Sequence, residues 1–225
     1  MTEKDQGSAS RKIVLIVTSI ICLLPICLAL VMYDDLPEKV VMQWNFEGNP
    51  NWYAHKAVIA FGIPLFFMVL NIAMNLLFYA DPKRENTSKV MRIFVAWFIP
   101  VLSLIIVPLM LLMNSGVELP IPMIVFILIG LIFIFIGNYL PKSRQNFSVG
   151  VRTKWTLNDP ENWNKTHRVA GVTFMIGGLL FIVLAFLPLE NIIGIIFIFL
   201  IIIIMAVVPI LYSYNLYKRT SKNNI

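Results

Sequence analysis

Six stretches of this 225-residue chain are apolar for about twenty residues at a time, the length a helix needs to cross a hydrocarbon core of about 30 Å. They run Ile13–Tyr33, Val58–Ala80, Ile93–Met113, Leu119–Gly137, Val169–Leu187 and Ile192–Tyr214, and none holds an Asp, Glu, Lys or Arg. Lipid offers no water to a backbone N–H or C=O, so such segments close their own hydrogen bonds as helices. Composition agrees: 59 % of the residues are hydrophobic and 13 % charged, whereas soluble domains sit near ~45–50 % and ~25 %. The expected fold is an all-α polytopic membrane protein with six transmembrane helices.

The first run follows Arg11 and Lys12 as a secretory signal would. It is longer than the ~7–15-residue core of a signal and no small-residue cleavage site follows, so it reads as a retained anchor. Pro25, Pro64, Pro100, Pro108, Pro120, Pro122 and Pro209 fall in or at the edges of the runs. Each removes a backbone donor and can kink its helix; Pro120 and Pro122 flank a helix start. Cys22 and Cys27 both lie in the first run, poorly placed for a disulfide and without the His or carboxylate company of a metal site.

Charge alternates along the chain. Lys4, Arg11 and Lys12 outnumber Glu3 and Asp5 in the tail, whereas Asp34, Asp35, Glu38 and Glu47 outnumber Lys39 and Lys56 in the first loop. Lys83, Arg84, Lys89 and Arg92 make the second loop basic, and Glu118 and Glu190 make the third and fifth turns acidic. Lys142, Arg144, Arg152, Lys154, Lys165 and Arg168 dominate a long polar island, and Lys218, Arg219 and Lys222 close the chain. Cationic loops stay cytoplasmic, so both termini are expected there. An even number of spans requires the same. The resulting organisation is a cytoplasmic tail at 1–12 and a three-helix region at 13–113 with an extracytoplasmic loop at 34–57. A second three-helix region at 114–217 has a cytoplasmic loop at 138–168, and a tail at 218–225 follows.

Residues for chemistry are scarce. His55 and His167 are expected on opposite sides of the membrane, and the chain has no HExxH, CxxC or phosphate-cradling GxxxxGK. The span serines Ser19, Ser103 and Ser213 have no imidazole at their depth to activate them. Neither an enzyme, a metal site, a cofactor nor direct nucleic-acid binding is expected. Asn71 and Asn75, four apart, share a helix face. That face either bonds to another helix or lines a polar path, the latter being what a small transporter or exporter of an amphipathic compound would need.

In the first loop, Val40, Met42 and Trp44 alternate like a strand, and Asn45, Gly48, Asn49, Pro50 and Asn51 mark a turn. Trp44, Phe46, Trp52 and Tyr53 cluster beside it. They suit an interfacial aromatic belt or a surface recognising an external peptide or lipid. In the island, Asp159-Pro160-Glu161 reads as a helix start, with Trp163, His167 and Gly171 stepping along one face. Arg152, Lys154, Lys165 and Arg168 suit anionic headgroups or a cytoplasmic protein partner.

The island also carries a resemblance. Gly150, Arg152, Thr153, Trp155, Thr156 and Leu157, then Trp163, His167 and Arg168, are similar to the motif of the SdpI family of bacterial immunity proteins. The segment from Leu36-Pro37 through Trp44-Asn45 and Gly48 resembles the small domain of unknown function that precedes it in many members. The resemblance implies a non-enzymatic bacterial plasma-membrane protein that protects its cell against a secreted peptide toxin and holds a transcriptional repressor at the membrane. It makes Trp44, Phe46, Trp52 and Tyr53 the toxin-facing candidates. Gly150, Arg152, Thr153, Lys154, Trp155, Trp163, His167 and Arg168 become the cytoplasmic motif. A transporter, or an accessory subunit of a larger envelope complex, stands as the alternative.

Overall fold

The computed structural model describes residues 3–44, 49–187 and 192–223. Six helices in it are long and apolar enough to cross a membrane, over Ser10–Met32, Val58–Ala80, Lys89–Asn114, Ile121–Lys142, Pro160–Leu184 and Gly194–Thr220. They occupy the six runs read from the sequence. The fifth starts well before Val169 because the Asp159-Pro160 start is real: Asp159 caps it by accepting from the Glu161 N–H at 2.8 Å. The chain divides into two compact units, residues 1–80 with 92–119, and residues 81–91 with 120–225.

In the first unit, α1 (Glu3–Leu23) gives way to α2 (Pro25–Met32). Pro25 has no N–H for the Ile21 carbonyl, and the Leu24 N–H takes that carbonyl instead at 3.1 Å. The next loop forms an antiparallel hairpin of β1 (Lys39–Trp44) and β2 (Pro50–His55), with register breaks on either side of Gln43. A π-helical turn, Val58–Gly62, leads into α3 (Ile63–Ala80), and α4 (Lys89–Asn114) carries Pro100 and Pro108. The hairpin packs inward through Val40, which joins Cys22, Ala29, Leu36, Ile59, Phe67, Ile99 and Leu111 in one buried cluster. Cys22 and Cys27 are free thiols.

The Asn71–Asn75 face is occupied within this unit. Asn71 Nδ2 donates to Thr18 Oγ1 and Ser19 Oγ, each at 3.1 Å, and Asn75 Nδ2 donates to the Asn71 side-chain oxygen at 3.0 Å. Ser103 Oγ donates to the Cys22 carbonyl at 2.8 Å. Such bonds join helices that gain little from apolar contact in lipid, at roughly 0.6–2 kcal/mol apiece. The outward faces are aliphatic and aromatic: Leu77 is 74 % and Phe66 60 % exposed.

The second unit holds α5 (Ile121–Tyr139), a 3-10 turn at Leu140–Lys142, α6 (Lys154–Asn158), α7 (Pro160–Leu184) and α8 (Ile192–Asn223). Helices α5 and α7 meet backbone to backbone at two glycine pairs. A Cβ on Gly130 would stand 2.6 Å from the Gly178 carbonyl oxygen, and one on Gly137 2.7 Å from that of Gly171. The reverse placements are equally close. Phe181 and Leu184 of α7 cluster with Ile201 and Met205 of α8, with Phe126 and Phe133 against Phe181.

Gly137→Ala is expected to push α5 and α7 apart and destabilise the protein by about 1–3 kcal/mol, read as a lower thermal midpoint in detergent. Gly62→Ala, whose Cβ would meet Val58 at an ordinary 3.6 Å, leaves the midpoint unchanged.

Candidate functional site

The hairpin is held at both margins by side chains that act on backbone. Asn114, the last residue of α4, accepts from the Val41 N–H at 2.7 Å and donates to the Val41 carbonyl at 3.2 Å, as a neighbouring strand would. Lys56 is buried; its Nζ donates to the Tyr33 carbonyl at 3.1 Å, lies 3.3 Å from Glu38, and stands over the Tyr33 ring. It thus stabilises the end of α2, where unpaired carbonyls carry partial negative charge. Although it directly precedes a span, Lys56 is turned inward to backbone and Glu38.

Trp52 and Tyr53 are 54 % and 51 % exposed. Trp44 ends β1, its backbone paired with Pro50, and Phe46 lies outside the described residues. Asp34, Asp35, Glu38 and Glu118 are exposed on this unit, alongside Lys39. His55 Nε2 is 3.0 Å from Glu38.

The island in the second unit is a closed polar framework. Thr153 and Thr156 form a reciprocal capping box at the start of α6. Gln145 Nε2 donates to the Thr156 and Leu157 carbonyls at 2.8 and 2.6 Å. Asn162 Nδ2 donates to the Ser213 carbonyl at 2.9 Å, and Ser213 Oγ donates back to Asn162 Oδ1 at 2.8 Å, which ties α7 to α8. Trp155 packs on Tyr214 and Tyr217 of α8.

Trp163 and His167 are fully buried and stacked, with ring centroids 3.9 Å apart. Trp163 Nε1 donates to the Ser143 carbonyl at 2.9 Å. His167 Nδ1 donates to the Trp163 carbonyl at 2.8 Å, and its Nε2 accepts from the Val151 N–H at 3.1 Å. Those partners require the neutral tautomer with its proton on Nδ1. With both nitrogens engaged by backbone, the ring is not available as a general base or ligand. Gly150 sits at φ +116°, and a Cβ there would fall on His167 Nε2. The motif's Gly, Thr, Trp and His are therefore one packed unit. Arg152, Lys154, Lys165 and Arg168 are exposed; Arg152 reaches the Phe147 carbonyl and Lys165 pairs with Glu161.

Several framework residues were not legible in the motif. Asp81 accepts from Ser148 Oγ at 2.5 Å and from the N–H groups of Phe147 and Lys83 at 2.9 and 2.7 Å. Asn86 donates to the Gln145 carbonyl at 2.7 Å and accepts from the Arg144 N–H at 2.9 Å. The second loop and the island thus share a side, as their common basic charge anticipated. Nothing local in the sequence around Asp81 marked these partners. Among the described residues no three His, Cys, Asp or Glu side chains gather as a metal site would require.

Burial tends to raise the Asp81 pKa, but the bonds from Ser148, Lys83 and Phe147 outweigh it and hold the carboxyl below its ordinary range. A depressed folded value means that Asp81 stabilises the fold above the unfolded carboxylate pKa of ~4 and loses that effect as pH falls through the folded value. Asp81→Asn is expected to lower the thermal midpoint at neutral pH, with the gap to wild type narrowing as the solution is acidified below about pH 4. Gly150→Ala is expected to lower the midpoint at every pH, because it displaces His167 and strains the backbone.

Two family models match the chain: the SdpI/YfhL protein family over residues 142–213 and a domain of unknown function, DUF1648, over residues 20–68. A curated relative, "Immunity protein SdpI" of Bacillus subtilis (strain 168), is 28 % identical over 205 residues, covering 91 % of this chain and 96 % of that protein. No solved structure matches. The first model spans the island and most of α7 and α8, and the second spans the end of α1, the hairpin and the start of α3. The chain is a multi-pass bacterial cell-membrane protein that is similar to the SdpI/YfhL family over residues 142–213 and to the DUF1648 domain over residues 20–68.

Proposed function

We propose that this protein gives its cell immunity to a secreted cationic antimicrobial peptide, which it engages at the hairpin on the extracytoplasmic side. The carrying observation is the pairing of exposed Trp52 and Tyr53 with exposed Asp34, Asp35, Glu38 and Glu118 in the same unit. Rigid aromatics give contact area at low entropic expense, and an acidic rim draws cationic peptides and raises their encounter rate. The similarity to an immunity protein over nearly the full chain supports the same role. A transport path along Asn71 and Asn75 is disfavoured, since both amides bond inside the helix packing.

On the cytoplasmic side, exposed Arg152, Lys154 and Arg168 form the surface that holds a transcriptional repressor. Trp163, His167, Gly150 and Thr153 shape it from beneath, and Trp155 anchors it to α8. Binding is by charge and contact, with no catalytic step.

Expression in a toxin-sensitive strain challenged with a panel of secreted cationic peptides tests the reading. Wild type raises survival, and Trp52→Ala lowers that protection while protein level is unchanged. Equal killing with and without the protein across the panel rejects immunity. Arg152→Ala with Arg168→Ala is expected to release a co-expressed regulator from membranes while leaving protection intact. A regulator that stays membrane-bound rejects the recruitment surface.

A further inference from the structure

The hairpin has one closed edge and one open edge. On β1, the Val41 N–H and C=O turn away from β2 and are taken by Asn114. Val41 pairs with Tyr53, and in an antiparallel ladder a residue whose groups turn outward faces a partner whose groups turn outward as well. The Lys56 N–H to Glu38 carbonyl bond at 3.0 Å sets the same phase: the pairs at Glu38–Lys56 and Val40–Ala54 exchange ladder bonds, and those at Lys39–His55 and Val41–Tyr53 do not. The Tyr53 and His55 backbone groups therefore point from the free edge of β2, where no further strand pairs among the described residues. Residues Pro50 to Tyr53 and His55 are exposed along it.

An open edge is a template for another strand, and proteins usually blunt it with inward charge, bulges or cover. Here the register breaks lie on β1 at Gln43, and Asn114 covers the β1 edge alone. Asp34 and Asp35 are exposed in the segment that leads into β1, and Glu38, next to Lys39 at its start, is held by His55 and Lys56. We infer that the free edge of β2 binds an extended cationic peptide by strand addition, through the backbone N–H and C=O of Tyr53 and His55, with Asp34 and Asp35 pairing its lysine or arginine side chains. This rests on the immunity reading and specifies its binding mode. Backbone pairing supplies affinity with little demand on side-chain sequence, so one hairpin can answer to peptides that share charge and extended shape.

The test uses full-length protein in uncharged phosphatidylcholine nanodiscs. It is titrated with a fluorescent synthetic peptide of alternating lysine and valine, and with the same peptide N-methylated throughout. The methylated form keeps the charge and side chains but has no backbone donors. The unmethylated peptide is expected to bind, and methylation to weaken it about tenfold or more. Tyr53→Pro removes an outward N–H that the hairpin ladder does not use, a place where proline is tolerated on an edge strand. It is expected to bind about tenfold more weakly than Tyr53→Ala, which keeps that N–H, with matching thermal midpoints for the two variants. Should Tyr53→Pro not fold, the methylated peptide on wild type carries the comparison. Equal binding of both peptides, equal binding by folded Tyr53→Pro and Tyr53→Ala, or no binding by wild type overturns strand addition and leaves Trp52 and Tyr53 as an interfacial anchor. Survival of cells expressing wild type is scored separately: protection that persists in Tyr53→Pro rejects the edge and keeps immunity, and absent protection with edge-dependent binding rejects immunity and keeps the edge.

Discussion

A backbone amide or carbonyl in hydrocarbon has no water to fall back on, and the folding problem of this chain concentrates where its helices stop. At each end up to four backbone groups lose their helical partners, in a zone where water is scarce. Three side chains answer that need in the same manner. Lys56 closes the end of α2, Gln145 the end of α6, and Asn114 supplies the missing neighbour of β1. Each reaches across sequence, so the loops are fastened to the helices they follow or precede. Rigid loops then present exposed groups, the aromatics on the hairpin and the cations of the island, from fixed positions.

The same logic separates two populations within the island motif. Gly150, Thr153, Thr156, Trp163 and His167 have their polar atoms or surfaces committed to one another and to backbone. Lys154 and Arg168 are exposed beyond that framework, and Arg152, also exposed, touches it at the Phe147 carbonyl. A motif of this kind keeps its residue order because a glycine, a tryptophan and a histidine must fit one another. The exposed cations can vary without disturbing that fit. Neutral His167 follows from this packing: a proton on Nε2 would confront the Val151 N–H, so the residue fixes the loop's shape and is no pH sensor in this state.

Much of the architecture was legible in the order of residues. Uncharged runs of spanning length set the six helices, and Asp159-Pro160 set the start of α7, because a capping carboxylate and a first-turn proline act locally. The alternation at Val40, Met42 and Trp44 marked β1 for the same reason. Long-range partners left no such trace. Nothing near Asn114 says that it will complete a strand more than seventy residues earlier, and nothing near Asp81 points to Ser148. The buried state of Lys56 was hidden too, since a lysine before a span ordinarily reaches for headgroups, and only the fold brings it the Tyr33 carbonyl and Glu38.

The paired glycines of α5 and α7 also set an order in time. Helix α5 carries no charge between Ile121 and Tyr139 and can enter the bilayer as soon as it leaves the ribosome, but its Gly130 and Gly137 then face lipid with nothing to meet. Their partners, Gly178 and Gly171, emerge only after the whole island has been translated. Trp163 and His167 ride on the same late helix. The contacts that Trp163 and His167 make with Ser143 and Val151 therefore form only once α7 has been made, so the island's packing is completed together with the fifth crossing.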